Sequence, residues 1–296
     1  MSAVAPSSRT VIELIEAGAK QLNNAGVAFG HGTTNAFDEA AWLVLWQLGL
    51  PLDDLESAEN RPVGPAEQAQ VAALFEARIK TRKPAAYLTR EAWLMGVPFY
   101  VDERSLVPRS FIAELLAEGS LDPWLGQHTK KVLDLCTGNG SLAVLAAMTW
   151  PEITVDGADI SADALAVARI NVDKHGLGGR ITLLQSDGLA AVHGPYDLIL
   201  CNPPYVNTQS MGALPAEYQA EPALALAGGA DGMDFIRALL HDAPAHMSEN
   251  AVLVLEIGNE REHFETAFPK LEVVWLATSA GEDQVLLITR EALLKK

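Results

Sequence analysis

Cysteine is scarce in this sequence: 296 residues contain two, Cys136 and Cys201. Two thiols, each closing an apolar run, make neither a disulfide framework nor a cysteine-rich metal cluster. They are expected to be buried small hydrophobes in a reducing compartment. Basic residues are also short, with 21 Lys and Arg against 38 Asp and Glu and a formal net charge of −17. That balance disfavours a stable grip on phosphate backbones and suits a basic protein partner. Long apolar runs are missing too. The longest, Ala40 to Leu50, is too short to span a bilayer. The opening MSAVAPSSRT lacks the charged-then-apolar pattern of a secretory signal. A cytoplasmic setting without membrane contact is therefore expected. The histidines show no paired metal spacing. His241 and His246, five apart, are expected to be solvated, and no metal is expected. There is no internal repeat and no low-complexity tract.

What is present reads as a soluble globular protein, 49% apolar and 20% charged. The length suits one large domain or two smaller ones. The first part is helical. Thr10 and Glu13 form a capping-box pattern ahead of VIELIEAGAKQLNNAG, with Gly26 as a stop. FDEAAWLVLWQLG gives a second helix closed by Gly49 and Pro51. A third opens on Pro65 and runs up to Pro84. Trp42 and Trp46, four apart, are expected to pack between helices. AWLMGVPFYVDERSLV, punctuated by Gly96 and Pro98, reads as a hairpin-like connector.

After the connector the pattern changes. KVLDLC, ITVDGAD, ITLLQSD, YDLILC and AVLVLEIG are short, β-branched apolar runs. SLAVLAAMTW, ADALAVARINVDKHG and GMDFIRALLHDAPAHM separate them with helical spacing. Two more strand-like runs, LEVVWLA and DQVLLITR, follow. Strands alternating with helices predict a parallel sheet covered on both faces.

The first of these strands ends Asp134-Leu135-Cys136-Thr137-Gly138-Asn139-Gly140, and a helix begins at once. Glycines there let the backbone turn sharply and approach a ligand at the helix N-terminus. The second strand ends at Asp159, where a carboxylate can hold ribose hydroxyls. The third ends Ser186-Asp187-Gly188, where one can accept from an adenine amino group. Gly138-x-Gly140-x-x-Ala143 also fits a dinucleotide fingerprint. Asp134, however, is poorly placed for a pyrophosphate and well placed to order a loop around a cationic amino-acid ligand. The pattern resembles the class I S-adenosylmethionine-dependent methyltransferases. On that resemblance Asp134, Cys136, Thr137, Gly138, Asn139, Gly140, Asp159, Asp187, Gly188 and Asn202 bind the cofactor, and S-adenosylhomocysteine is the product.

The fourth strand runs into Asn202-Pro203-Pro204-Tyr205. Prolines remove N–H donors and stiffen the backbone. The Pro203 carbonyl and the Asn202 carboxamide oxygen then offer two rigid acceptors. Two such acceptors suit a planar NH2 group that must lose its conjugation before its lone pair attacks a methyl group in line. Tyr205 can stack on the flat substrate. Positioning and charge stabilisation suffice, without a strong base. The motif resembles the signature of amino methyltransferases acting on glutamine amides or on exocyclic amines of adenine and cytosine.

HGTTNAFDEA, KPAAYLTREAWLMGVPFYVDERSLVPRS, NPPYV with LPAEYQAEPALALAGGADGMDFIR, and LVLEIG together resemble the HemK-like protein-glutamine methyltransferases, over nearly the whole chain. Val107-Pro108-Arg109-Ser110 followed by Ile112-Ala113-Glu114-Leu115 is similar to the PrmB branch, which modifies a glutamine of large-subunit ribosomal protein L-three. The release-factor branch and a DNA adenine methyltransferase are the alternatives, and an assembly factor that binds without methylating is a third. The resemblance implies an α/β, Rossmann-like, mostly parallel seven-stranded domain over residues 111–296. It places a helical substrate-recognition domain over 1–90 and a hairpin connector over 91–110. Ribosomal protein L-three, free or in an assembly precursor, is the implied partner, with no stable nucleic-acid binding. Phe111, Gly188 and SAGEDQ depart from the family pattern; with glycine at 188, adenine packing must come from elsewhere. Arg109 can contact substrate or cofactor, or pair with a carboxylate. Glu256 is read as structural.

Overall fold

Helical periodicity builds the first of two units. The computed structural model describes residues 9–295. The first unit runs from residue 9 to Glu91 and takes in Pro215–Ala220, while the second holds Ala92–Leu214 and the chain from Glu221 onward.

In the first unit, helix α1 (Val11–Asn24) starts at Thr10, whose Oγ1 accepts from the Glu13 N–H while Glu13 Oε2 accepts from the Thr10 N–H. The first helical donors are thereby satisfied. Helix α2 (Ala36–Gln47) is capped by Asn35, and α3 (Pro65–Thr81) opens on proline. Ile15, Leu22, Leu43, Val44 and Phe75 make the core, each buried side chain stabilising by about 1.5–3 kcal/mol. A Cβ on Gly18 would fall on the Phe75 ring, so glycine sets the closeness of α1 and α3. Trp42 packs half-buried against this core, and Trp46 is half-buried as well.

A short helix, Ala216–Gln219, brings Glu217 into the same unit. There Arg78 donates to Glu39 Oε1 (2.8 Å), Glu217 Oε1 (3.3 Å) and the Ala28 carbonyl (3.0 Å). Arg82 Nε lies 2.8 Å from Glu217 Oε1. Burial raises the Glu39 carboxyl above its usual range although Arg78 opposes the shift.

The second unit is a sheet of seven strands. They are β1 (Lys131–Leu135), β2 (Thr154–Asp159), β3 (Ile181–Gln185), β4 (Tyr196–Cys201), β5 (Met247–Glu256), β6 (Val274–Thr278) and β7 (Gly281–Thr289). Their order across the sheet is β6-β7-β5-β4-β1-β2-β3. The pairs β1–β2, β2–β3, β1–β4 and β4–β5 are parallel; β7 runs antiparallel to both β5 and β6.

Alternation splits the sheet's side chains between two buried faces. Val132, Leu198, Leu200, Val252 and Val254 join one core, with Leu142 and Ala146 of α4 (Ser141–Thr149) and Val172 of α5 (Ala162–Lys174). Leu133, Ile199, Leu253 and Leu255 join the other, with Ile236 and Leu240 of α6 (Asp234–His246). Two buried faces explain why these strands read as near-continuous apolar runs. The connector folds as Glu91–Leu94 paired with Val97–Tyr100. Its turn residues, Met95 and Gly96, both have positive φ, matching the right-handed strand twist.

Two expectations need correction. Cys136 is half-buried, while only Cys201 is buried; positive φ at Cys136 begins the loop out of β1. His241 is exposed, but His246 is half-buried where α6 meets β5. Among the described residues no helix is long and apolar enough to cross a membrane.

Candidate active site

The strand order reverses between β1 and β4, so their carboxyl ends diverge into separate loops and leave a crevice. Leu135 and Cys201 are register partners there. Asp134-to-Gly140 and Asn202-to-Tyr205 therefore leave neighbouring strands at one edge.

Asp134 orders the first loop from inside. Its Oδ2 accepts from Thr137 Oγ1 (2.5 Å) and from the Ala143 N–H (2.9 Å) of α4. Its Oδ1 is buried and has no hydrogen-bond partner among the described residues. Burial pushes the carboxyl up to about 7, and Asp159 adds a smaller push. An unpaired buried carboxylate oxygen is costly and would be satisfied by a cationic donor. This oxygen fits the amino-acid ammonium of the expected cofactor.

Cys136, Gly138 and Gly140 have φ of 60°, 54° and 79°. A Cβ on Gly140 would crowd Ala168 of α5 at 3.1 Å. The Asn139 side chain works inward: Oδ1 accepts from the Ser141 N–H (3.0 Å), and Nδ2 donates to the Leu106 carbonyl (2.8 Å). At the end of β2, Asp159 accepts from the Gly138 N–H (2.9 Å) and the Ser161 N–H (2.8 Å). Burial raises its pKa against those two bonds. Asp187 is exposed beyond β3, and Gly188 follows with φ 52°.

In the second loop Pro203 is buried, while Asn202, Pro204 and Tyr205 are half-buried. The Asn202 side chain makes no hydrogen bond to another described residue. Its acceptor is free for a ligand. The chain beyond is stapled down: the Val206 N–H donates to Leu226 O, the Gly228 N–H to Val206 O, and Asn207 Nδ2 to Glu260 Oε1 at 2.7 Å.

Sequence reasoning missed two residues here, Asn171 and Phe235, and left the partners of Arg109 and Glu256 unnamed. Asn171, buried on α5, donates to the Tyr100 and Asn139 carbonyls and accepts from the Tyr100 N–H. It ties the hairpin to the glycine loop. An amide on the buried face of an otherwise apolar stripe was its only signal. Phe235 of α6 stands beside Gly188, its ring 3.8 Å from where a Cβ would lie. That contact supplies the aromatic neighbour which Gly188 itself lacks. Arg109 pairs with Glu221, a contact set by packing rather than spacing. Glu256 accepts from Ser110 and the Phe111 N–H, with the Tyr205 hydroxyl 3.5 Å away.

The methyltransferase small domain family matches residues 113–218. The chain is 54% identical over 288 residues to a Bordetella pertussis protein described as a ribosomal protein uL3 glutamine methyltransferase, covering 96% of each. A Burkholderia pseudomallei protein of the same description is 51% identical, covering 95% of this chain and 94% of its own. A Neisseria gonorrhoeae protein, again so described, is 47% identical over 96% of both. Among solved structures, the hMettl16 catalytic domain in complex with a MAT2A 3′UTR hairpin superposes with a TM-score of 0.52 at 13% identity. That match covers 77% of this chain and 83% of the other, and it shows the shared class I methyltransferase fold.

Proposed function

The chain belongs to the ribosomal protein uL3 glutamine methyltransferases, and from that membership we propose that it methylates the side-chain amide nitrogen of a glutamine in that ribosomal protein, with S-adenosylmethionine as donor. The observation that carries the mechanism is the placing of Asn202 at the β4 end, beside the loop ordered by Asp134. The cofactor supplies an electrophilic methyl on a sulfonium. Asp134, Gly138, Asn139 and Gly140 shape its amino-acid end, Asp159 its ribose, and Asp187 with Phe235 its adenine.

The chain's own part in the reaction is positioning. The Asn202 carboxamide oxygen and the Pro203 carbonyl accept the two hydrogens of the substrate amide. Held so, its nitrogen loses conjugation with the carbonyl and turns its lone pair along the line of transfer. Tyr205 fixes the amide plane. As the N–CH3 bond forms, the donor's S–CH3 bond would break and its electrons stay on the thioether. The methylated nitrogen is then strongly acidic and gives one of its two hydrogen-bonded protons to water, so no strong base is needed.

The helical unit helps grip the protein substrate, and the acidic surface raises the encounter rate with a basic one. Free ribosomal protein or an assembly precursor in the cytoplasm is the substrate. The test incubates the chain with labelled S-adenosylmethionine and, in parallel, uL3, a peptide-chain release factor and duplex DNA. Label on one glutamine of uL3 alone is expected. Label on the release factor or on DNA would overturn the substrate assignment, and no label with cofactor bound would favour a binding-only factor.

A further inference from the structure

Tyr205 is surrounded by backbone from two distant segments. A Cβ on Gly258, just beyond β5, would lie 2.5 Å from Tyr205 Cε2 and 2.9 Å from Cζ. A Cβ on Gly228 would lie 2.7 Å from Tyr205 Cα, and one on Gly232 would collide with the Tyr205 carbonyl oxygen. Gly232 and Gly258 also have positive φ, 78° and 53°. Only glycine permits such approach and such a backbone at little cost.

Glu256, two residues before Gly258, closes the hydroxyl end of the ring. It is 2% exposed. Its Oε1 lies 3.5 Å from the Tyr205 hydroxyl, while Oε2 accepts from Ser110 Oγ (2.5 Å) and the Phe111 N–H (2.9 Å). Three donors from two separate segments thus converge on one buried carboxylate. Plain packing at the end of a strand would be better served by an apolar side chain.

We propose that Glu256 and Gly258 are positioning residues for methyl transfer, holding the Tyr205 ring at one angle and linking it to Ser110 and Phe111. The inference rests on the glutamine methyltransferase reading above. Gly258 blocks the ring from rocking to one side, and Glu256 fixes its hydroxyl. A ring free to tilt would let the substrate amide turn out of line with the donor methyl. A misplacement of about 1 Å costs on the order of a hundred-fold in rate.

Glutamine at 256 has one acceptor oxygen and one NH2. The Phe111 N–H cannot reverse its polarity, so the oxygen stays with it. The NH2 then meets the Tyr205 hydroxyl, so the bond to a carboxylate acceptor is replaced by a weaker one of reversed direction. Tyr205→Phe removes the same contact from the other side and keeps the ring.

The experiment measures uL3 methylation by the intact chain and by Glu256→Gln, Tyr205→Phe, their double variant and Gly258→Ala. Cofactor affinity by calorimetry and melting temperature are recorded for each. Glu256→Gln should lower kcat about ten- to hundred-fold, with the KM for uL3 and cofactor affinity within about two-fold. The double variant should fall short of the product of the single losses by at least about three-fold. Gly258→Ala should lose about a hundred-fold in kcat with cofactor affinity retained.

Wild-type kcat in Glu256→Gln, or losses that multiply in the double variant, would overturn the proposal. So would Gly258→Ala losing cofactor affinity while keeping kcat. If Gly258→Ala does not fold, the Glu256–Tyr205 cycle decides alone. Failure of the unaltered chain to label uL3 would overturn the family reading and this inference with it. Normal labelling with independent losses would overturn the positioning role alone.

Discussion

Glu221 grips Arg109 with both carboxylate oxygens, Oε1 accepting from Nη1 at 2.5 Å and Oε2 from Nη2 at 2.7 Å. Oε1 also accepts from the Val107 N–H at 3.0 Å. One buried carboxylate thereby fastens the Val107-to-Ser110 connector to the chain that follows the Asn202 loop. A fork of this kind uses the full planar guanidinium.

Arg109→Ala should therefore destabilise by about 3–5 kcal/mol, because it takes the guanidinium from a buried Glu221 carboxylate that still accepts from the Val107 N–H. Arg109→Lys should recover part of the loss but not the second bond of the fork. Chemical denaturation of the intact chain checks both. A loss below about 1 kcal/mol for Arg109→Ala, as for an exposed pair, would show that Glu221 escapes to water.

Arg78 plays a comparable part in the helical unit, with 1% side-chain exposure and carboxylates of Glu39 and Glu217 on either side. Arg78→Met should lower the melting temperature more than Glu217→Gln does. The first change takes the shared guanidinium from two buried carboxylates, leaving Glu217 with Arg82 and Glu39 with the Thr33 hydroxyl, whereas the second leaves a neutral amide whose burial costs far less. Calorimetry of the two variants checks the ranking, and equal losses would contradict it.

The β-α alternation, the caps at Thr10 and Pro65 and the glycine loop could be read in the sequence because each is local. Periodicity, capping and positive-φ turns are decided within a few residues. Asn202-Pro203-Pro204-Tyr205 was legible for the same reason. The contacts that hold these pieces were not. Asn171 reaches Tyr100, Glu256 reaches Ser110, and Pro215–Ala220 joins the helical unit far from its neighbours in sequence. Such pairings are set by chain closure and shape, which spacing does not encode. The glycines at 228, 232 and 258 look like ordinary turn residues until Tyr205 is placed against them.

Asn202→Ala should keep cofactor affinity and lose roughly a hundred- to a thousand-fold in turnover, as for removal of one preorganised polar group at a reacting centre. The carboxamide has no structural bond to lose, so the melting temperature should hold. Single-turnover methylation of uL3 beside calorimetric cofactor titration separates the two effects. Near-normal turnover would sink the two-acceptor mechanism.

Asp134 should make binding of S-adenosylmethionine sensitive to pH. Its carboxyl, pushed up to about 7 by burial, is mostly protonated at pH 6 before binding. A cationic ligand beside Oδ1 favours the carboxylate and lowers that pKa. Binding at pH 6 should then release a proton, and affinity should rise from pH 6 to 7 and level off above 8. Glu256, also pushed up to about 7 by burial, titrates in the same range, so the Asp134→Asn variant is the control: it should abolish the release and flatten the affinity profile. Calorimetry in two buffers of different ionisation enthalpy reads the proton directly. Equal heats in both buffers at pH 6 for the unaltered chain would mean that Asp134 does not face the ligand's charge.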